Sequence, residues 1–121
     1  MRREILAAIV FLLLGAPNAQ AHPDQNGSFT VLGIGAHSCG TWGADRKANG
    51  WAAVIDEAWV VGFLSAYNLL GPGPDDITAG SDINGATGWM DNYCAQHPLD
   101  TISVATQALI NELNKRRKSA T

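Results

Sequence analysis

The chain has 121 residues, of which 46% are hydrophobic, and its formal net charge is −3. Residues 22–121 carry six basic and ten acidic side chains, and four of the six basic ones lie in the last seven residues. An acidic body with a short basic tail excludes nucleic acid as the main partner, because phosphate backbones bind positive surfaces. This length corresponds to one small domain.

Residues 1–21 have the three regions of a secretory signal peptide. Two arginines precede the apolar run at residues 5–14, Gly15 and Pro17 interrupt it, and Ala19-Gln20-Ala21 is a small-x-small cleavage pattern. The run is shorter than the ~20 residues that a membrane-spanning helix needs. We therefore expect an exported protein that is periplasmic or secreted, without stable membrane insertion after cleavage.

Residues 22–35 are polar and turn-rich at first and then loosely alternating, which predicts a flexible or extended lead-in before a helical domain at residues 36–118. Within that domain, the stretch TWGADRKANG predicts one or two helical turns that end at Asn49-Gly50.

Residues 51–70 are the strongest predicted element, a helix of about 30 Å. The only clearly polar side chains are Asp56, Glu57, Ser65 and Asn68. A helix that is apolar nearly all round predicts a buried central helix. The large side chains assigned to the core are Trp51, Ile55, Trp59, Phe63 and Tyr67. The alternative for the four aromatic ones is that they line a ligand pocket.

Two further helices follow a Pro-rich loop. Ser81 or Asp82 is expected to cap a helix over residues 82–96 with a stripe of Ile83, Ala86, Met90 and Tyr93. Asp100 is expected to cap the last helix, where Thr106, Asn111 and Asn114 belong to the solvent side. Its apolar stripe is Ile102, Ala105, Leu109 and Leu113. The fold class is therefore all-α: a small single-domain bundle of three to four helices with a short extended N-terminal arm and one disulfide.

The two cysteines, Cys39 and Cys94, predict one disulfide, because an exported chain enters an oxidising compartment. Such a bond would close a loop of about 55 residues, for which the chain-entropy model gives ~4 kcal/mol. A thiolate–imidazole pair of Cys94 with His97 is disfavoured, since Pro98 places His97 at a helix end. A zinc set that adds His37 to Cys39, Cys94 and His97 stays as a minor alternative.

Three sequence segments, SCGTW, WVVGFLSAYN and GWMDNYCAQHPLDTI, occur in a characteristic order over roughly residues 36–115. In this order the chain resembles small exported bacterial helical proteins related in outline to HdeA-type acid chaperones and to immunity proteins of type VI secretion amidase effectors. The resemblance implies a periplasmic helical domain whose disulfide ties the first segment to the penultimate helix, which matches Cys39 and Cys94.

The function that these features predict is non-enzymatic binding of another protein, for example in the manner of an immunity protein or inhibitor. No catalytic residue, cofactor or metal ligand is assigned. The alternatives are an HdeA-like acid-stress chaperone and a copper- or zinc-binding protein. Copper would bind through His22 at the mature N-terminus, and zinc through the cysteine–histidine set above.

Overall fold

The computed structural model describes residues 29–121, which form a bundle of four α-helices. A 3₁₀ helix at Gly33–Ala36 precedes α1 (Cys39–Ala48), α2 (Trp51–Leu70), α3 (Ile83–Gln96) and α4 (Ile102–Ser119). These residues contain no β-strand, only an isolated antiparallel bridge between Ser38 and Thr101. The all-α prediction is confirmed. The expected signal peptide and residues 22–28 of the expected lead-in lie outside the described residues.

Side chains at the helix ends explain three of the boundaries. Ser38 caps α1 by accepting a hydrogen bond from the Thr41 amide, and Asp82 caps α3 by accepting from the Gly85 amide at 2.7 Å. Asn49 ends α1 in the left-handed region at φ 51°, which asparagine tolerates better than most residues. The prediction that Asn49-Gly50 stops this helix is confirmed, although α1 is longer than the one or two turns expected.

The cap of α4 differs from the prediction. Thr101, not Asp100, is the N-cap, and its hydroxyl accepts from the Val104 amide at 3.3 Å. Asp100 instead accepts a hydrogen bond from the Tyr93 hydroxyl at 2.8 Å, which draws its carboxylate toward α3. The turn between α3 and α4 is thus held by a bond between side chains, while the next residue begins the helix.

The core lies between one face of α2, the inner faces of α3 and α4, and α1. Met90, Ile102, Leu109 and Leu113 are buried as predicted, and Trp59, Phe63, Tyr67 and Tyr93 are partly buried against the same cluster. Several core residues were not assigned from the sequence. The largest are Trp42 of α1 and Ile77 of the loop between α2 and α3, both fully buried, and Val60, Leu64 and Ile110 are further ones.

The prediction that α2 is buried all round is wrong. Trp51 is 75% exposed and Ile55 41% exposed, so neither belongs to the core. The reason is geometric: α1, α4 and the 3₁₀ helix all pack on one side of α2, where Ala53, Asp56, Val60 and Leu64 are buried. The opposite side of the helix has no neighbour among residues 29–121.

Three smaller predictions also need correction. Ile83 is 41% exposed and does not contribute to the buried stripe of α3. Thr106 is fully buried rather than on the solvent side, because its hydroxyl donates to the Ile102 carbonyl at 2.7 Å and needs no water. Asn114 is half-buried and donates to the Tyr67 hydroxyl at 3.2 Å.

Candidate interaction surface

The side of α2 that faces away from the core forms a continuous apolar strip, which we call the α2 outer face. Its members recur every three or four residues and span about 27 Å of helix. Trp51 at one end is 75% exposed and Leu69 at the other 80% exposed. The apolar members, all exposed, are Trp51, Val54, Ile55, Ala58, Gly62, Ala66 and Leu69.

The α2 outer face carries no charge. The two acidic residues of the helix lie elsewhere, since Asp56 is buried and Glu57 forms an ion pair with Arg46. The one polar side chain within the strip is Ser65, whose hydroxyl donates to the Val61 carbonyl at 2.8 Å. Single exposed apolar residues are normal on protein surfaces, but a contiguous strip marks an interaction site.

The middle of the α2 outer face is flat, whereas its ends are bulky. Ala58, Gly62 and Ala66 occupy successive turns, and a β-carbon added at Gly62 would meet no atom within 4 Å. Trp51 and Ile55 project at the N-terminal end, and Leu69 does so at the C-terminal end. An approaching helix can therefore come close to the α2 backbone at the centre and contact large side chains toward both ends.

Contacts of the inner side hold α2 in place. Val60 and Leu64 are buried in the core, and the Trp59 indole donates to the Leu32 carbonyl at 3.0 Å. This bond anchors the segment that enters the domain, where Phe29 and Leu32 are themselves exposed at 60% and 76%. Residues 29–32 thus add further exposed apolar side chains to the domain.

A polar cluster centred on Arg46 fixes the orientation of α1, α2 and α3. The guanidinium forms a fork with Asp91, with both bonds at 2.8 Å, and also binds Glu57. The Trp42 indole donates to the same Asp91 carboxylate at 2.8 Å. The hydrogen bond to Asp91 is the main reason why the pKa of Arg46 is raised. The sequence carries no signal for this cluster, because its members lie up to 49 residues apart.

Asp56 is the one buried acid at the back of α2. It is 1% exposed, and its Oδ2 has no hydrogen-bond partner among the described residues. Its pKa is raised to about 6: burial is the largest cause, the neighbouring Asp45 carboxyl also raises the pKa, and His37 acts in the opposite direction. Asp56 on the inner side of α2 therefore lies near a second acid, Asp45 of α1. It takes up a proton in mildly acidic solution.

Cys39 and Cys94 are joined in a disulfide that ties α1 to α3, as the sequence predicts. The sulfur of Cys94 is therefore not a free nucleophile, and neither cysteine offers the thiolate that the alternative zinc set requires. His97 follows the last residue of α3, stacks on Tyr93 with ring centroids 4.3 Å apart, and contacts the Tyr93 carbonyl through Nδ1 at 3.0 Å.

Within residues 29–121, no group of three or more His, Cys, Asp or Glu side chains is arranged to hold a metal ion. His22, the residue behind the copper alternative, lies outside this range. Among the same residues, α2 is the one helix that is long and apolar enough to cross a membrane by length and composition.

Comparisons with protein-family models, with curated proteins and with solved structures found no match. The resemblance to HdeA-type chaperones and to amidase immunity proteins thus rests on the sequence segments alone and stays a prediction.

Proposed function

We propose that this chain is a non-enzymatic, exported helical domain that binds another protein through the α2 outer face. The observation that carries the proposal is the exposure of this face: an uncharged apolar strip along the whole of α2, which no other part of residues 29–121 covers. Apolar area removed from water is the main favourable term in most protein association. The bonded state of Cys94 supports the non-enzymatic part, because the candidate pair of Cys94 with His97 has no free thiol.

The surface chemistry defines the partner. Because the α2 outer face lacks charge, a partner that placed a charged group against it would bury that group unpaired, at considerable cost. The matching partner surface is therefore apolar, and the apolar side of a helix fits the flat centre around Gly62. Trp51 is the candidate anchor, since tryptophan is enriched among the residues that dominate binding energy.

The rigidity of the domain suits an inhibitor-like or immunity-like role. The disulfide and the Arg46–Asp91 fork hold α1 and α3 together behind α2. A surface that is already ordered loses little conformational entropy on binding. In this role the domain would cover a functional surface of an effector enzyme, as the sequence resemblance to amidase immunity proteins implies.

Site-specific photo-crosslinking in the periplasm tests the proposal. A photoreactive amino acid is placed at position 54 or 69 on the α2 outer face, and at position 104 as the control, because Val104 is 45% exposed but lies on α4. We expect positions 54 and 69 to yield the same protein adduct and position 104 to yield none. Leu69→Asp should abolish the adduct formed from position 54.

Each outcome of this experiment bears on the proposal. An adduct with a cell-wall amidase would support the immunity-like role specifically. Equal adducts from all three positions, or no protein adduct from positions 54 and 69, would contradict it. Binding of the purified domain to lipid vesicles through the same face, without any protein adduct, would identify a membrane as the partner instead.

The acid-chaperone alternative requires acid to loosen the fold. Asp56 acts in the opposite direction, because an acid whose folded-state pKa is raised to about 6 stabilises the fold as the solution is acidified. Acid activation would therefore have to come from other carboxylates and overcome this contribution. This favours the simple binding role over the chaperone.

A further inference from the structure

A second surface lies at the C-terminal end of α2, away from the α2 outer face. It is an open groove of about 790 Å³ between the loop after α2 and the last turns of α4. Tyr67, Pro72 and Pro74 line one wall, and Asn111, Lys115 and Lys118 line the other. Tyr67 belongs to the inner side of α2, so the groove and the α2 outer face are separate surfaces.

The groove concentrates positive charge on an otherwise acidic domain. Lys115, Arg117 and Lys118 line it, and no carboxylate is among its lining residues. Within residues 29–121 none of the three cations forms an ion pair, whereas Arg116 on the same helix binds Glu112 at 2.8 Å. Arg117 does contribute to lowering the pKa of Asp76, but hydrogen bonds from Thr78 are the larger causes.

A favourable interaction with the helix dipole explains why basic residues occur in the last turns of α4. It does not depend on which way the side chains point. The interaction with the helix dipole therefore does not explain why Lys115, Arg117 and Lys118 border one groove while Arg116 binds a glutamate.

Neutral hydrogen-bond donors complete the groove. The Tyr67 hydroxyl oxygen accepts a bond from the Asn114 amide at 3.2 Å, which leaves the hydroxyl proton available to donate to a ligand. The exposed amide of Asn111 lies one turn earlier on α4 and lines the same wall.

The wall formed by the loop is already in place. A β-carbon at Gly73 would come within 3.0 Å of the Tyr67 hydroxyl and ring, so the glycine lets the loop lie directly against this tyrosine. Farther along the loop, the Ile77 amide donates to the Asn68 side chain at 2.8 Å, and the Ile77 side chain is fully buried. Pro74, which lies between these two anchors, restricts the backbone further.

We infer that this groove binds an organic phosphate. Lysine and arginine are the usual partners of phosphate oxygens, and the hydroxyl of Tyr67 supplies a neutral donor beside them. The groove volume falls in the range of small-molecule sites, ~300–1,000 Å³, and exceeds what a bare phosphate ion fills. The rings of Pro72 and Pro74 provide an apolar wall for the organic part. A soluble phosphomonoester and a phospholipid headgroup share this chemistry.

Titration of the oxidised protein by two-dimensional NMR tests the inference. The probes are inorganic phosphate and glycerol 3-phosphate at fixed ionic strength, and flotation with phosphatidylglycerol–phosphatidylcholine vesicles tests the lipid source. We expect the side-chain amides of Asn111 and Asn114 to shift. Lys118→Gln and Tyr67→Phe should each raise the dissociation constant about five- to tenfold, which is the order expected for one lost charge-assisted or neutral donor.

Arg116→Gln is the matched control, because it removes the same charge from the same helix without altering this groove. Binding of glycerol 3-phosphate with this variant pattern assigns a soluble ligand, and vesicle binding alone with the same pattern assigns a headgroup. The inference is overturned if Arg116→Gln weakens binding as much as Lys118→Gln, or if the protein binds neither the two soluble phosphates nor the vesicles. Ile55→Asp on the α2 outer face should leave phosphate binding unchanged, so this test stands apart from that of the proposed function.

Discussion

The Asp56 carboxyl of α2 is buried against the Asp45 carboxyl of α1, and its pKa is raised to about 6. Burial is the largest cause, followed by the neighbouring Asp45 carboxyl. At neutral pH the domain therefore holds the ionised Asp56 carboxylate out of water, which lowers the stability of the fold.

The first prediction concerns the pH dependence of stability. The folded-state pKa of Asp56 lies above its ordinary value of 3.8. Between pH 4 and 6 the Asp56 carboxyl therefore binds a larger share of a proton in the folded state than in the unfolded state. This group should add about 2–3 kcal/mol to the free energy of unfolding as the pH falls from 7 to 4. Asp56→Asn should be more stable than the wild type at pH 7 and should lose that gain on acidification. Urea unfolding across this range measures the difference.

The difference in free energy of unfolding between the wild type and Asp56→Asn does not contain the contributions of the other carboxylates. These include Asp91, whose pairing with Arg46 is common to both proteins. Parallel stability curves for wild type and Asp56→Asn would show that Asp56 does not titrate in this range. Asp45→Asn is a second variant of use, since it removes the neighbouring charge and should make the pH dependence shallower.

The second prediction concerns the disulfide between Cys39 and Cys94. Cys94→Ser should lower the free energy of unfolding by about 2–5 kcal/mol, because the bond closes a loop with a sequence separation of 55 residues. The wild-type protein should not react with a thiol reagent unless it is first reduced. Stoichiometric labelling of the folded, unreduced protein at either cysteine would contradict the bonded state.

The third prediction concerns the core around α4. Leu109 is 1% exposed, and truncating a buried leucine costs about 2–5 kcal/mol through lost burial and the cavity left behind. Leu109→Ala should therefore lower the midpoint of thermal unfolding sharply. Asn111→Ala is the control on the same helix, because Asn111 is exposed, and its effect should stay within about 0.5 kcal/mol. Equal effects of the two substitutions would contradict the described packing of α4.

The fourth prediction separates two arginine ion pairs. Arg46 forms a fork with Asp91 and also binds Glu57, with about two thirds of its side chain shielded from solvent. Arg46→Met should cost about 1–2 kcal/mol, since forked bonds between charged groups are stronger than single ones. Arg116→Met removes only an exposed pair with Glu112, worth ~0.5 kcal/mol or less. Urea unfolding of both variants should show this order, and the reverse order would exclude Arg46 as the link between α1, α2 and α3.

The local patterns of the sequence predicted the helices well. Apolar periodicity and helix-ending residues located α2 and α4, and the buried stripe of Ile102, Leu109 and Leu113 agrees with the structure. The pairing of Cys39 with Cys94 followed from their number and the expected compartment. Each of these inferences depends on neighbouring residues or on a count, and so needs no knowledge of how the helices pack.

Only the tertiary structure decided which side of α2 is buried. Apolar residues occur all around this helix, so periodicity contains no information about its orientation, and Trp51 looks as suited to a core as Val60. The packing of α1, α4 and the 3₁₀ helix on one side left Trp51 in solvent and enclosed the polar Asp56. The groove beside Tyr67 likewise joins residues that lie nearly 50 positions apart. Helix boundaries are set by adjacent residues, whereas the faces that remain exposed are set by distant ones.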